Sequence, residues 1–171
     1  RLAVRGGWLV VDEAFMDATP EGSMAHHVGL PGLIVLRSLG KFFGLAGARV
    51  GFVLAEPAVL EGLREHLGPW TVTGPSRWVA ARALSDHAWQ VTARHALDRA
   101  RSRLADLLKR QRLPVAGGTE LFQWAPIPDA AFWRDALARR GILVRHFTDP
   151  PALRFGLPGG ESAWRRLELA L

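Results

Sequence analysis

Three short, unbroken apolar runs, each stopped by charged or polar residues, set what this chain can fold into. They lie at 8–11 (Trp-Leu-Val-Val), 33–37 (Leu-Ile-Val-Leu-Arg) and 50–55. A continuous run of this length, without polar alternation, predicts a strand buried on both faces. The first two runs end in Asp12-Glu13 and Arg37-Ser38, and the third stops at Glu56-Pro57. In open α/β sheets ligands gather beyond the carboxyl ends of the strands, so Asp12 and Ser38 are the first candidates for chemistry.

The remainder reads as helices and a smaller unit. Pro57 suits a first helical position, and 58–67 mixes apolar and charged residues at helical spacing. Gly68-Pro69-Trp70 and Gly74-Pro75 bracket a break. Helices are predicted at 76–86 and 88–112, the second with an apolar stripe of Leu97, Ala100, Leu104 and Leu107 and a stop at Pro114. Strands are predicted near 113–116, 120–125, 142–145 and 152–156, with helices near 129–140 and 161–171. The expected organisation is 1–75 as part of a large domain, 76–111 as connecting helices and 112–171 as a small α+β domain. With 171 residues, one domain or two small ones fit. The chain begins at Arg1 and enters its first strand almost at once, so the expectation is a piece of a longer protein.

Lysine usage singles out one residue. Only Lys41 and Lys109 occur, against twenty arginines. A sequence so biased toward arginine that still places lysine between an apolar strand and a glycine-rich turn points to chemistry arginine cannot perform. A lysine amine can lose its proton and attack a carbonyl to form a Schiff base, whereas a guanidinium stays protonated. A common Schiff-base partner in α/β proteins is pyridoxal phosphate (PLP), which needs a carboxylate at its ring nitrogen and hydroxyl and cationic donors at its phosphate. Asp12 can supply the first. Ser38, three residues before Lys41, and Arg49, eight after it, can supply the others, the planar guanidinium through a two-pronged contact. Gly44 and Gly47 permit the tight turn between them.

Ser38-x-x-Lys41 with Arg49-x-Gly51, together with Asp12-Glu13-Ala14-Phe15, resembles the fold type I PLP enzymes of the histidinol-phosphate aminotransferase group. Within that group the chain is most similar to the threonine-phosphate decarboxylases, the CobC- and CobD-like proteins of cobalamin biosynthesis. The segment 67–75 (Leu-Gly-Pro-Trp-Thr-Val-Thr-Gly-Pro), the segment Gly141 to Phe147 and the segment Leu153 to Pro158 carry the likeness further. It covers essentially all of this chain but only about the C-terminal half of a typical family member. The resemblance implies the C-terminal part of the fold type I architecture, a mainly parallel sheet with helices, followed by a small α+β domain. It implies Lys41 as the Schiff-base residue, Asp12 at the pyridine nitrogen, and Ser38 and Arg49 at the phosphate. It also implies Arg154 at the substrate carboxylate and Arg145 as a second cation for substrate phosphate or carboxylate. A phosphorylated amino acid as substrate and a homodimer at full length follow from the same likeness.

Phe15 separates branches of the group. Aminotransferases of this kind usually carry tyrosine there, and this chain has no tyrosine at all. The residue therefore favours decarboxylation of threonine phosphate over a histidinol-phosphate-type transamination. A rival of another class is a non-catalytic basic module that binds nucleic acid, given the net charge of +6. The arginines, however, are dispersed and interleaved with acids, as in Asp98, Arg99, Arg101, Arg103 and Asp106, so no nucleic-acid partner is expected. Without cysteine there are no disulfides and no thiolate chemistry, and His26-His27 lack a third ligand at metal-binding spacing. No run approaches the roughly 18 apolar residues of a membrane span, and the expected location is cytoplasmic.

Overall fold

The computed structural model describes residues 6–171; the first five residues of the expected 1–75 segment lie outside them. The chain divides into two compact units, the first running to Val91 and the second covering Thr92–Leu171.

In the first unit β1 (Leu9–Asp12) pairs in parallel with β2 (Leu33–Ser38), and β3 (Gly51–Leu54) pairs antiparallel with β2 on its other side. All three apolar runs thus become strands. The expectation of burial on both faces fails for β1, where Leu9 is 43% and Val10 56% exposed. Among the described residues β1 has a strand neighbour on one side only, whereas β2, flanked on both sides, buries Leu33 and Val35. Three short 3-10 turns, Met16–Ala18, Pro20–Gly22 and Ala25–His27, fill the connection from β1 to β2. Next come α1 (Pro57–Leu67), opened by its proline and closed by Gly68 at φ 71°, and α2 (Gly74–Ser85). Thr73 caps α2 by accepting a hydrogen bond from the Ser76 N–H at 3.3 Å. Phe42, Phe43 and Trp89 pack their rings together within this unit, which fixes the segment just after Lys41.

Helix α3 (His87–Arg110) enters the second unit and supplies Leu104, Leu107 and Leu108 to its core. A four-stranded antiparallel sheet of order β4-β5-β7-β6 is formed by β4 (Gly117–Thr119), β5 (Phe122–Pro126), β6 (Arg145–Thr148) and β7 (Pro151–Gly156). Helices α4 (Ala130–Arg139) and α5 (Glu161–Ala170) complete the unit, and Leu137, Leu153, Phe155 and Trp164 join the core leucines. Two strands begin later than their apolar residues predict. Leu113 and Val115 pack on the core, but Pro114 has no N–H to give a ladder, and pairing starts only at Gly117. Ile142 and Val144 likewise pack on the core while their segment closes α4: Ile142 N–H bonds back to Leu137 O and Gly141 takes φ 71°. Strand β6 therefore starts at Arg145, opposite Arg154. Gly118 is obligatory, since a Cβ there would lie 2.3 Å from Phe122 O, at φ 158°.

Within the second unit Arg103 of α3 lies over the Trp164 ring, 4.3 Å from its centroid, and grips the Glu161 carboxylate with both terminal nitrogens. That hydrogen bond holds the Glu161 carboxyl below its ordinary value of 4.5, against the opposing effect of desolvation. A depressed folded-state value stabilises above the unfolded pKa and is lost as pH falls through the folded one. Acid unfolding of the wild-type protein should therefore carry a Glu161-dependent component below about pH 4.5. Glu161→Gln should remove that component, so the variant should lose less stability than the wild type between about pH 5 and pH 3, as followed by denaturant melts across that range.

Candidate active site

The geometry at the carboxyl ends of β1 and β2 follows from strand alternation. Successive side chains point to opposite faces, so Asp12 shares a face with Leu36, its register partner, and with Ser38. Glu13 and Arg37 lie on the other face. The environments differ accordingly. Asp12 is exposed, and its Oδ1 accepts from the Ala14 N–H at 2.9 Å, which starts the turn out of the strand. Glu13 is 1% exposed.

Beyond β2 the chain turns back sharply. The Ser38 hydroxyl accepts from the Gly40 N–H at 3.1 Å, which leaves its own proton free to be donated elsewhere. The turn continues through a 3-10 helix at Ala46–Ala48, which Arg49 terminates in the left-handed conformation at φ 53° and ψ 43°. A non-glycine residue there is strained, and strain of this kind gathers at functional sites. The Arg49 guanidinium reaches back to Ala46 O at 3.3 Å. The result is a cavity of about 280 Å³ lined by Ser38, Gly40, Lys41, Leu45, Ala46, Arg49, Val50 and Gly51. Three of the sequence-predicted residues, Ser38, Lys41 and Arg49, thus surround one space, and Asp12 stands on the same sheet face as Ser38. Gly51 is confined too, because a Cβ there would come within 3.1 Å of Arg37 O across the β2–β3 pairing.

The Lys41 amine lies 5.3 Å from the centroid of the Phe15 ring, a cation over an aromatic face. Phe15, singled out in the sequence for its missing hydroxyl, is therefore a neighbour of the lysine. A hydroxyl donor, a forked cation and a primary amine around one cavity suit a compound that joins a phosphate to a reactive carbonyl.

The other two predicted residues lie in the second unit, directly opposite each other on β6 and β7. Arg145 is exposed and Arg154 half-buried. Trp124 of β5 continues the row beside Arg154. Arg154 sits over the Phe122 ring at 4.9 Å and Arg145 over the Phe147 ring at 5.7 Å. Like charges facing each other across a strand pair repel, and a bound anion would relieve that repulsion.

Sequence reasoning missed the side chains on the buried face. Glu13, Ser23, Arg37 and Asp17 form a hydrogen-bonded network there. The available signal was Arg37 itself, a charge inside an otherwise apolar strand, with Glu13 at the matching end of its parallel neighbour.

The chain matches the family described as aminotransferase class I and II over residues 1–169. It is 57% identical to the threonine-phosphate decarboxylase of Pseudomonas aeruginosa over the whole chain, which covers 52% of that protein. It is 43% identical to a threonine-phosphate decarboxylase of a Sinorhizobium species, again over the whole chain and 51% of that protein. The chain thus spans about half the length of the curated relatives it matches. Among solved structures, histidinol-phosphate aminotransferase from Sinorhizobium meliloti, in complex with pyridoxal-5'-phosphate, superposes with a TM-score of 0.85 at 21% identity. That match covers 96% of this chain and 47% of the other, and it establishes a shared fold. With the family match over nearly its whole length, the chain belongs to the class I and II aminotransferase family.

Proposed function

We propose that this chain is the lysine-bearing part of a PLP-dependent decarboxylase that converts L-threonine O-3-phosphate to (R)-1-aminopropan-2-yl phosphate in cobalamin biosynthesis. The observation that carries the reading is the cavity shared by Ser38, Lys41 and Arg49. Its donor set fits PLP: a hydroxyl proton and a guanidinium for the phosphate, and an amine for the carbonyl. The 57% identity to a threonine-phosphate decarboxylase supports the choice of substrate, and Phe15 beside Lys41 supports decarboxylation over transamination.

In this reading Lys41 Nζ would hold the cofactor through its carbonyl carbon and would carry a proton to the substrate's α-carbon. Asp12 keeps the pyridine nitrogen protonated through an ion pair. Ser38 Oγ and Arg49 bind the phosphate. Arg154 binds the substrate carboxylate, with Arg145 as the second cation for phosphate or carboxylate, which accounts for two arginines facing each other across β6 and β7. When bound, PLP supplies the electron sink for the bond broken at the substrate's α-carbon. Phe15 presents an apolar ring near Lys41, where a tyrosine would offer a phenol.

Residues 1–75 would then belong to the large cofactor-binding domain, 76–111 to the connecting helices and 112–171 to the small domain. At full length the protein would act as a cytoplasmic homodimer. Among the described residues no helix is long and apolar enough to cross a membrane.

The test uses protein made from the complete reading frame in which this chain occurs. Incubated with threonine phosphate it should release carbon dioxide and aminopropanol phosphate, and Lys41→Arg should lower that rate by at least about a thousandfold. Glutamate formation from histidinol phosphate and 2-oxoglutarate, without carbon dioxide release from threonine phosphate, would overturn the assignment. Arg49→Gly separates stability from binding. Relief of the left-handed backbone should stabilise the fold by about 0.5–1 kcal/mol, while loss of the guanidinium should weaken PLP binding by about tenfold or more, as read by thermal melts and cofactor titration.

A further inference from the structure

Glu13, at 1% exposure the most buried carboxylate among the described residues, is left unused by the proposed chemistry and is thoroughly bonded. Its Oε2 accepts from the Ser23 hydroxyl at 2.6 Å and from Arg37 Nη1 at 3.1 Å, and its Oε1 accepts from the Met24 N–H at 2.5 Å. Arg37 Nη1 also donates to Ser23 Oγ at 3.1 Å, and Arg37 Nη2 donates to Asp17. A buried ion pair gives back little of its desolvation cost as stability, so the position it enforces is the more informative property.

Each charged end of this network is one residue away from a proposed cofactor contact. Glu13 follows Asp12, and Arg37 precedes Ser38. Because neighbouring side chains point to opposite faces, locking Glu13 to Arg37 behind the sheet fixes the backbone from which Asp12 and Ser38 project in front. The backbone agrees, with the Glu13 N–H bonded to Leu36 O at 2.8 Å. The same network ties down the 13–24 segment, which includes Phe15, the ring beside Lys41.

We propose that Glu13, acting through Arg37 and Ser23, is a positioning residue that sets where Asp12, Phe15 and Ser38 meet the cofactor. The inference rests on the PLP reading above. A misplacement of even an ångström at a binding group can cost orders of magnitude in function, so a shape-preserving change at Glu13 should be felt by the cofactor.

The experiment compares wild-type and Glu13→Gln protein from the complete reading frame, reading the visible absorbance of bound PLP, its dissociation constant, and the melting temperature of the cofactor-free protein. The glutamine keeps the shape but breaks the charge pair with Arg37. A folded Glu13→Gln protein should bind PLP about tenfold more weakly and show a displaced visible band, because the carboxylate at the ring nitrogen has moved. A purely structural Glu13 would lower only the melting temperature, and an unmoved band with an unchanged dissociation constant overturns the proposal. Should Glu13→Gln not fold, Ser23→Ala decides. That change removes one bond to Glu13 and keeps the ion pair, so the same displacement to a smaller degree supports the proposal and wild-type values overturn it. Failure of the wild-type protein to take up PLP overturns the cofactor reading and this proposal together, whereas normal wild-type uptake with an unaffected variant overturns this proposal alone.

Discussion

The ion pair between Glu13 and Arg37 joins the carboxyl ends of two parallel strands on the side away from the cavity, and the arrangement of the candidate site depends on it. Two-residue periodicity makes the division clean. Behind the sheet Glu13 is bonded to Ser23 and Arg37, and Arg37 to Asp17. Asp12 and Ser38 are thereby delivered to the front face without having to satisfy buried partners of their own. The strained Arg49 and the close approach of Gly51 to Arg37 O serve the same end, since both constrain the chain that returns to β3 after Lys41.

The second unit solves a different problem. Its sheet buries one face against α3, α4 and α5 and leaves on the other a row of Trp124, Arg154 and Arg145. Each arginine lies over an aromatic ring, Phe122 or Phe147, and Trp124 and Phe147 meet edge to face at 4.5 Å. The rings hold the two cations side by side despite their repulsion, with an energy of about 0.5–1 kcal/mol for each contact at exposed sites.

Much of this was legible in the sequence, and for definite reasons. The three apolar runs became β1, β2 and β3 because continuous hydrophobicity bounded by polar residues has few other outcomes. Lys41, Ser38 and Arg49 were found together because their spacing spans one turn and its return. The apolar run of β1 overstates its burial, since an apolar sequence does not report how many neighbours a strand has. The starts of β4 and β6 were misplaced because Val115, Ile142 and Val144 are apolar for core packing rather than for pairing. The Glu13 network escaped because its partners, at positions 17, 23 and 37, converge through turns whose path no local pattern encodes.

The proposed function requires that Lys41, rather than Lys109, carry the cofactor covalently. Protein made from the complete reading frame can be loaded with PLP, reduced with borohydride to fix the attachment, digested and mapped by mass spectrometry. The expected result is a phosphopyridoxyl group on the peptide containing Lys41 and none on the peptide containing Lys109. Attachment elsewhere, or no attachment after loading, would contradict it.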